Sequence, residues 1–199
     1  MANVFGVLVG VGLSAVCGFR VFVPLLGVSA AALSGYLPLS PGMAWLGSWQ
    51  ALIAFAVATV LEIAAYYIPV VDSVMDTLAT PSAVVAGAIV TAAMVGDVSP
   101  FLKWSLAIIA GGGAAGAVQT STVALRAAGQ AAAPVVATPV MTTLETAGSA
   151  LVTVLSFVAP VLGVLVVAVI GLMLFLLVKR FVRGVRSLAR RKAPAAPVP

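Results

Sequence analysis

Long stretches without a charged residue limit what this chain can fold into. One of them, residues 161–178, reads VLGVLVVAVIGLMLFLLV, and others of similar character precede it. Only 8% of the residues are charged, whereas a soluble domain carries about a quarter. So few charges cannot keep a soluble surface polar, so the composition predicts an integral membrane protein.

The apolar stretches predict an all-α polytopic membrane protein with about six transmembrane helices. The predicted spans cover residues 3–33, 50–68, 66–95 (a Pro-bounded opening segment, 66–81, followed by 82–95), 101–128, 141–160 and 161–178. Residues 129–140, which contain two prolines, are expected to form an irregular connection. A helix needs roughly 20 residues to cross the hydrocarbon core. The first and fourth predicted spans are about 30 residues long and are therefore expected to tilt, kink or break. Pro24 is the expected position of such a break in the first span.

A weak internal repeat relates the two halves of the transmembrane region, residues 1–96 and 97–182. The segments GVGLSAVCGFR (10–20) and GAVQTSTVALR (116–126) place a glycine, a hydroxyl residue and an arginine at the same spacing. PVVDSVMDT (69–77) similarly resembles PVVATPVMTT (134–143). Three spans in each half would give an inverted repeat with broken or re-entrant helices, as in many transporters. Chance similarity is the alternative.

The basic residues concentrate at the C-terminal end, where seven of them lie between Lys179 and Lys192. The positive-inside rule then places the C-terminus in the cytoplasm, and six spans place the N-terminus there too. The same residues would attract anionic membrane lipids. We expect residues 1–182 to form the transmembrane domain and residues 183–199 a basic, then Pro/Ala-rich, tail. No folded soluble domain accompanies the basic segment, so nucleic acid is not an expected partner.

Six ionisable residues interrupt the apolar stretches, although a charge in the bilayer centre costs at least a few kcal/mol. They are Arg20, Glu62, Asp72, Asp76, Arg126 and Glu145. Such residues usually face the interior of a helical bundle or an aqueous cavity. Glu62 is expected either to pair with one of the arginines or to carry a proton, with Tyr66 one turn later as a hydrogen-bond partner.

The segment PVVDSVMDTLATP, residues 69–81, carries two of these acids between two prolines. We predict a short broken helix in which Asp72 and Asp76 share one face, with Ser73 and Thr77 on the neighbouring stripe. Broken helices of this kind line cavities in transporters. A solvated turn at the membrane surface is one alternative. A Mg²⁺ or Ca²⁺ site formed by the two aspartates is another, and no other cofactor is expected.

Three segments together resemble a known family. GLSAVCGFRVFVPLL (12–26), PVVDSVMDTLATPSAVVAG (69–87) and TPVMTTLE (138–145) are similar to the bacterial integral membrane family called domain of unknown function 4126. The resemblance implies a location in the bacterial cytoplasmic (inner) membrane. It also places Arg20, Pro24, Asp72, Asp76 and Glu145 on motif positions, without implying an activity.

The function expected from these residues is a small transporter or channel for a small ion or solute. The acids, with Ser73 and Thr77, would line its path, and the two arginines would act as counter-charges or anion contacts. An intramembrane metal-dependent enzyme acting on lipid headgroups is an alternative, although the chain has no histidine and no nucleophile motif. A non-catalytic membrane scaffold is another alternative. Under any of these functions, the glycine-rich helices of the chain are compatible with a homo-oligomer.

Overall fold

A computed structural model describes residues 2–96, 98–132 and 134–191, and those ranges contain helices and turns but no strand. The helices are α1 (Ala2–Cys17), α2 (Phe22–Leu33), a short 3₁₀ helix (Ala44–Gly47), α3 (Trp49–Tyr66), α4 (Pro69–Met94), α5 (Pro100–Leu106), a π-helical segment (Ala107–Gly112), α6 (Gly113–Ala132), α7 (Pro134–Val158) and α8 (Pro160–Arg191). The predicted all-helical class is confirmed.

Fewer helices than predicted have the length and hydropathy of a membrane span. Within the described ranges, four do: Trp49–Tyr66, Val74–Met94, Pro100–Ala131 and Thr138–Val158. Three shorter apolar helices accompany them: Phe5–Cys17, Phe22–Leu33 and Pro160–Met173. The chain therefore has the helices of a membrane protein, but the first predicted span is divided into two short ones.

The first of these short helices, α1, packs antiparallel against α4. Its beginning lies at the end of α4, where Gly6 is against the carbonyl of Met94. Near its own end, Ser14 Oγ donates a hydrogen bond of 2.6 Å to the Gly87 carbonyl and lies 2.7 Å from Thr91 Oγ1. α1 therefore runs into the bundle from the end of the molecule where α4 finishes.

The second short helix, α2, returns to that same end. Just beyond α2, the Ser40 N–H donates to the Ala93 carbonyl at 2.8 Å, and Ser40 Oγ donates to the Ala92 carbonyl at 2.8 Å. The two helices thus form a hairpin that enters and leaves at one end, with its tip, residues 18–21, inside the bundle. The single span predicted over 3–33 is wrong in this respect, because the chain reverses.

The reversal occurs at Gly18 and not at Pro24. A Cβ on Gly18 would lie 2.8 Å from the Gln119 backbone nitrogen, so only glycine allows this approach to α6. The α1 ladder then closes in a turn, with Phe19 N donating to Val16 O at 2.9 Å. Pro24 instead occupies the first turn of α2, where a missing N–H leaves no helical bond unmade.

The predicted short broken helix between Pro69 and Pro81 is also wrong, since α4 continues through Pro81 as a helix. A proline inside a helix removes one backbone hydrogen bond. Hydroxyl groups on both sides of it donate to carbonyls four residues earlier: Thr80 to Asp76 at 3.3 Å and Ser82 to Leu78 at 2.8 Å. The loss of one bond at Pro81 does not end α4, which continues to Met94.

The Pro-containing segment 129–140, expected to be irregular, is largely helical. α6 extends to Ala132 and α7 begins at Pro134 and passes through Pro139. At the other end of the chain, α8 continues to Arg191, so the basic segment prolongs the last helix within the described range. Asp97, Ala133 and residues 192–199 lie outside the described residues.

The long fourth predicted span is one helical stretch that contains a π-helical segment. There Gly111 packs against α4, with the Gly87 carbonyl 2.6 Å from where a Cβ on Gly111 would lie and the Thr91 hydroxyl closer still. π-helical turns are rare and distort a helix locally. The π-helical segment therefore interrupts the regular α-helix of this span, and small residues permit the close packing.

The loops 34–48 and 95–99 meet at the end of the bundle where the hairpin enters, which we call the loop end. Lys103 Nζ, on α5, donates to Ser40 Oγ at 2.6 Å and to the Pro41 carbonyl at 3.3 Å, which ties α5 to the loop 34–48. Trp45 and Trp49 are exposed here, as the aromatic belt of a membrane surface requires.

Candidate functional site

Four of the ionisable residues predicted from sequence meet inside the bundle. Arg20, at the hairpin tip, and Arg126, on α6, both pair with the same carboxylate oxygen, Glu145 Oε2 on α7. The Arg20 Nη2 distance is 3.5 Å, and Arg126 Nη2 makes direct contact. Asp76 Oδ1, on α4, lies 3.8 Å from Arg126 Nε. We call these four residues the charge cluster; it joins four separate helical elements.

The charge cluster is almost completely shielded from solvent. The side chains of Arg20 and Arg126 are 0% and 3% exposed, and that of Glu145 is 5% exposed. Asp76 is the most accessible member, with 16% of its side chain exposed. Buried ions of this kind persist only when they are paired with opposite charges and hydrogen-bonded.

An aromatic ring supports both guanidinium groups. The Cζ atoms of Arg20 and Arg126 lie 4.3 Å and 4.2 Å from the centroid of the Tyr66 ring. Such cation–π contacts are worth about 0.5–2 kcal/mol each. The sequence placed Tyr66 beside Glu62 as a hydrogen-bond partner, but it gave no sign that two distant arginines would share its ring.

Glu62 makes two contacts that the sequence did not predict. Its two carboxylate oxygens accept hydrogen bonds from the backbone N–H groups of Val21 (2.8 Å) and Phe22 (3.1 Å) at the beginning of α2. The first N–H groups of a helix have no partner within it, and the helix dipole favours a negative charge there. Glu62 therefore fixes the hairpin tip to α3.

Arg20 retains unused hydrogen-bonding capacity. Its Nη2 donates to the Thr142 carbonyl at 3.2 Å, but Nε and Nη1 have no hydrogen-bond partner among the residues that the structure describes. A guanidinium has five N–H donors, and burying them unbonded is unfavourable. The hairpin tip thus brings N–H donors into the bundle interior.

Polar side chains line one whole face of α7. They recur every three or four residues and are all buried: Thr138, Thr142, Glu145, Ser149, Thr153 and Ser156. Residues at this spacing share one face of a helix. At 1.5 Å per residue, the face from first to last is about 27 Å long, close to the roughly 30 Å of a hydrocarbon core. We call this face the α7 polar stripe.

Several hydroxyl groups on and beside the stripe have no described partner. Thr142 Oγ1, Ser149 Oγ and Thr153 Oγ1 are buried without a hydrogen bond to any residue in the described ranges, and so is Ser29 Oγ on α2. Buried hydroxyls in proteins almost always bond to protein or to ordered water. These groups are therefore chemically suited to solvating water or an ion.

The hairpin packs directly over the stripe. Gly27, on α2, faces Thr153, whose Cγ2 is 2.5 Å from where a Cβ on Gly27 would lie. Gly12, on α1, faces Ser156, whose Oγ is 3.4 Å from the corresponding position. Arg20 at the tip reaches the Thr142 part of α7. The small residues of the hairpin therefore lie along the loop-end half of the stripe, and the charge cluster lies at its middle.

The contacts described above do not include three of the predicted site residues. Thr77 is exposed on α4, and the side chains of Asp72 and Ser73 lie outside what the structure describes. No group of three or more acidic or cysteine side chains gathers in the described ranges to hold a metal ion. Asp76, one of the two aspartates considered as a divalent-cation site, lies near Arg126.

The two sequence segments proposed as a repeat adopt different local structures. Arg20 lies in the hairpin tip, whereas Arg126 lies within the continuous helix α6. Ser14 bonds across to α4, whereas Thr120 is exposed and donates to the Gly116 carbonyl of its own helix. The inverted repeat stays a prediction.

A family profile covers most of the chain, including the hairpin, the charge cluster and the stripe. It is that of "Domain of unknown function (DUF4126)", and it matches residues 7–180. The chain belongs to this family. No curated protein and no solved structure matches the chain. The resemblance seen in the sequence motifs is thereby confirmed, and the family itself assigns no activity.

Proposed function

We propose that this DUF4126 protein is a small membrane transporter or channel whose path follows the α7 polar stripe. The observation that carries the proposal is the set of buried hydroxyls without described partners, at Thr142, Ser149 and Thr153. A helix packed only for stability would place apolar residues there. A path for water, protons or ions needs polar groups with spare bonding capacity along its length.

The charges favour a proton or small cation as the transported species. Glu62, Asp76 and Glu145 provide three buried or partly buried carboxylates in the described interior, against the two arginines of the charge cluster. Acids inside membrane proteins commonly mark ion pathways and proton relays. A net negative interior attracts cations and repels anions.

Glu145 is the natural coupling residue, because it belongs to both the stripe and the charge cluster. As a carboxylate it holds Arg20 and Arg126 together. A proton taken up from the stripe would neutralise Glu145 and weaken both attractions. Arg20 could then move with the hairpin tip, and the middle of the stripe would open. Proton binding would thereby be linked to passage through the path.

The membrane arrangement follows from the hairpin. We propose that α1 and α2 are re-entrant and that α3, α4, the α5–α6 stretch, α7 and α8 cross the membrane. By the positive-inside rule, the basic end of α8 lies in the cytoplasm of a bacterial inner membrane and contacts anionic lipids. Five crossings place the loop end and the N-terminus outside, a revision of the six-span expectation. A homo-oligomer remains compatible with the exposed helices.

Flux into liposomes tests the path. The purified protein would be reconstituted, and proton and K⁺ entry would be measured for the native chain and for Glu145→Gln, Asp76→Asn, Asp72→Asn and Thr142→Val. We expect Glu145→Gln and Thr142→Val to change flux by about tenfold or more. Thr120→Val is the matched control, because the Thr120 hydroxyl bonds only within its own exposed helix face. Equal flux from all variants would remove the assigned path.

A static scaffold is the second candidate, and one observation favours it. Arg20 and Arg126 both pair with Glu145 inside the protein, and Glu62 is hydrogen-bonded to the backbone at the hairpin tip. Replacing Arg20 and Glu145 together with methionine separates the two roles. A scaffold would keep its stability and show no native flux to lose, whereas a transporter would lose flux. The metal-dependent enzyme hypothesis has no described contact in its favour.

A further inference from the structure

The polar groups of the α7 polar stripe follow one another at even intervals. They are three or four residues apart in the chain, so the Cβ atoms of neighbouring members are about 5–6 Å apart on the helix face. A single water molecule spans such a gap, because it makes a hydrogen bond of about 2.8 Å on each side. The spacing therefore suits a relay in which side-chain oxygens alternate with water, and Glu145 is the ionisable member of that relay.

A metal cation needs a different arrangement of oxygens. It leaves its hydration shell only where several oxygens replace that shell together, as the carbonyl rings of K⁺ channels do. Opposite the stripe, the hairpin presents Gly27 to Thr153 and Gly12 to Ser156, and glycine has no side-chain oxygen. At these two levels the described contacts therefore provide one hydroxyl from α7 and none from the hairpin, which is not a coordination shell.

The hairpin also leaves little space for a cation that keeps its hydration shell. A Cβ on Gly27 would lie 2.5 Å from Thr153 Cγ2, and one on Gly12 would lie 3.4 Å from Ser156 Oγ, so the hairpin backbone is packed against the stripe at both places. Thr153 meets Gly27 with its methyl group, and its hydroxyl has no hydrogen bond to any described residue. A proton needs no wider opening, since it passes between oxygens along hydrogen bonds.

The charge cluster is a further obstacle to a metal cation. Glu145 Oε2 already contacts the guanidiniums of Arg20 and Arg126, and both guanidiniums lie against the Tyr66 ring. A metal cation at Glu145 would therefore meet two positive charges at contact distance, in a buried place where charges are little screened. A proton forms an O–H bond with the carboxylate itself, so it needs neither a coordination site nor the departure of an arginine.

From the spacing, the packing and the charges we propose that the path carries protons and excludes K⁺ and Na⁺. This inference rests on the proposed function and narrows it to one transported species. Each hydroxyl of the stripe gives its proton to the next oxygen and takes another from the oxygen before it. Glu145 accepts a proton from one side of the charge cluster and releases it to the other, so only protons cross the bundle.

Ion-selective flux tests the proposal with the full chain in liposomes. Proton entry would be followed with an internal pH dye while valinomycin carries the compensating K⁺. Entry of K⁺ or Na⁺ would be followed with ion-sensitive dyes while a protonophore carries the compensating protons. We expect proton entry faster than in empty liposomes, with K⁺ and Na⁺ entry equal to theirs. Faster K⁺ or Na⁺ entry would overturn the proton selectivity but leave the path in place, whereas no entry of any of the three ions would overturn the path and the selectivity together.

Two substitutions at Thr153 test the relay. Thr153→Val keeps the shape of the side chain but removes its hydroxyl, and we expect proton entry to fall by about tenfold or more. Thr153→Ser keeps the hydroxyl and should restore proton entry close to the native rate. Thr120→Val is the matched control, because the Thr120 hydroxyl bonds within its own helix, and it should behave as the native chain does. Equal proton entry in the two Thr153 variants would overturn the relay, and the comparison of ions in the native chain decides the selectivity whether or not these variants fold.

Discussion

Removing the Glu145 carboxylate, which two arginines share, should destabilise the protein more than removing any single charge outside the charge cluster. In Glu145→Gln, the side-chain volume is kept, but Arg20 and Arg126 lose the oxygen that both contact. Breaking a buried ion pair by removing one partner costs about 3–5 kcal/mol. Asp76 still lies 3.8 Å from Arg126, and both guanidiniums keep Tyr66, so we expect the lower end of that range.

The assay is unfolding by SDS in mixed micelles, followed by tryptophan fluorescence. Lys103→Gln serves as the control, because it removes a partly exposed charge at the loop end, where we expect a loss of about 1 kcal/mol or less. The double variant Arg20→Gln with Glu145→Gln should recover part of the lost stability, with a coupling of about 1–3 kcal/mol. Additive effects of the two substitutions would refute the claim that these residues form one cluster.

Two further predictions concern the hairpin and the helix packing. Glu62→Gln should raise amide hydrogen exchange around Phe22 and destabilise the protein by about 1–3 kcal/mol, because one of the two N–H groups at the start of α2 loses its acceptor. Thr59→Val is the control and should leave this exchange unchanged, because the Thr59 hydroxyl bonds only to its own helix at Phe55. Equal exchange in both variants would contradict the anchoring role of Glu62. Gly111→Ala should destabilise the protein by about 1–3 kcal/mol, because the added Cβ would meet the Gly87 carbonyl. Gly113→Ala, where the added Cβ would meet open space, should be neutral or slightly stabilising in thermal unfolding. An equal loss of stability in both variants would contradict the role given to the close contact of Gly111 with α4.

The class of the fold could be predicted from the sequence because it depends on composition. Scarce charges and long apolar stretches require helices in a membrane, and both features can be seen in the sequence without knowing how the helices pack. The hairpin could not be predicted, because its residues are as apolar as those of a crossing helix. What reverses the chain is the contact of Gly18 with α6 and the binding of Glu62 to α2, and both join residues that are distant in sequence.

Prolines misled the prediction in two places for one physical reason. Near Pro81 and Pro139, the sequence indicated a break or an irregular connection, since a proline removes a helical hydrogen bond. In α7, the Thr143 hydroxyl donates to the Pro139 carbonyl at 2.8 Å, much as Thr80 and Ser82 bond to carbonyls near Pro81. A proline removes only one backbone bond, and α4 and α7 both continue through it.

The site could be predicted in part, because a charge inside an apolar stretch is rare enough to be noticed without a structure. Arg20, Arg126, Asp76 and Glu145 were found in this way, and they do meet. The α7 polar stripe was missed, since Ser149 and its hydroxyl neighbours are common in membrane helices and carry no charge. Their spacing of three or four residues was visible, but only the structure shows that this face is buried against the hairpin.

Cysteine accessibility along α7 tests most directly whether the polar stripe is hydrated. With the buried Cys17 replaced by alanine, single cysteines would be placed at Ser149 and Thr153 on the stripe, and at Leu151 and Val154, which are 67% and 60% exposed on the outer face. A small cationic methanethiosulfonate reacts with thiolates, which form in water and not in lipid. The account predicts labelling about tenfold or more faster on the stripe than on the outer face. Equal, slow labelling at all four positions would contradict a hydrated path through the protein.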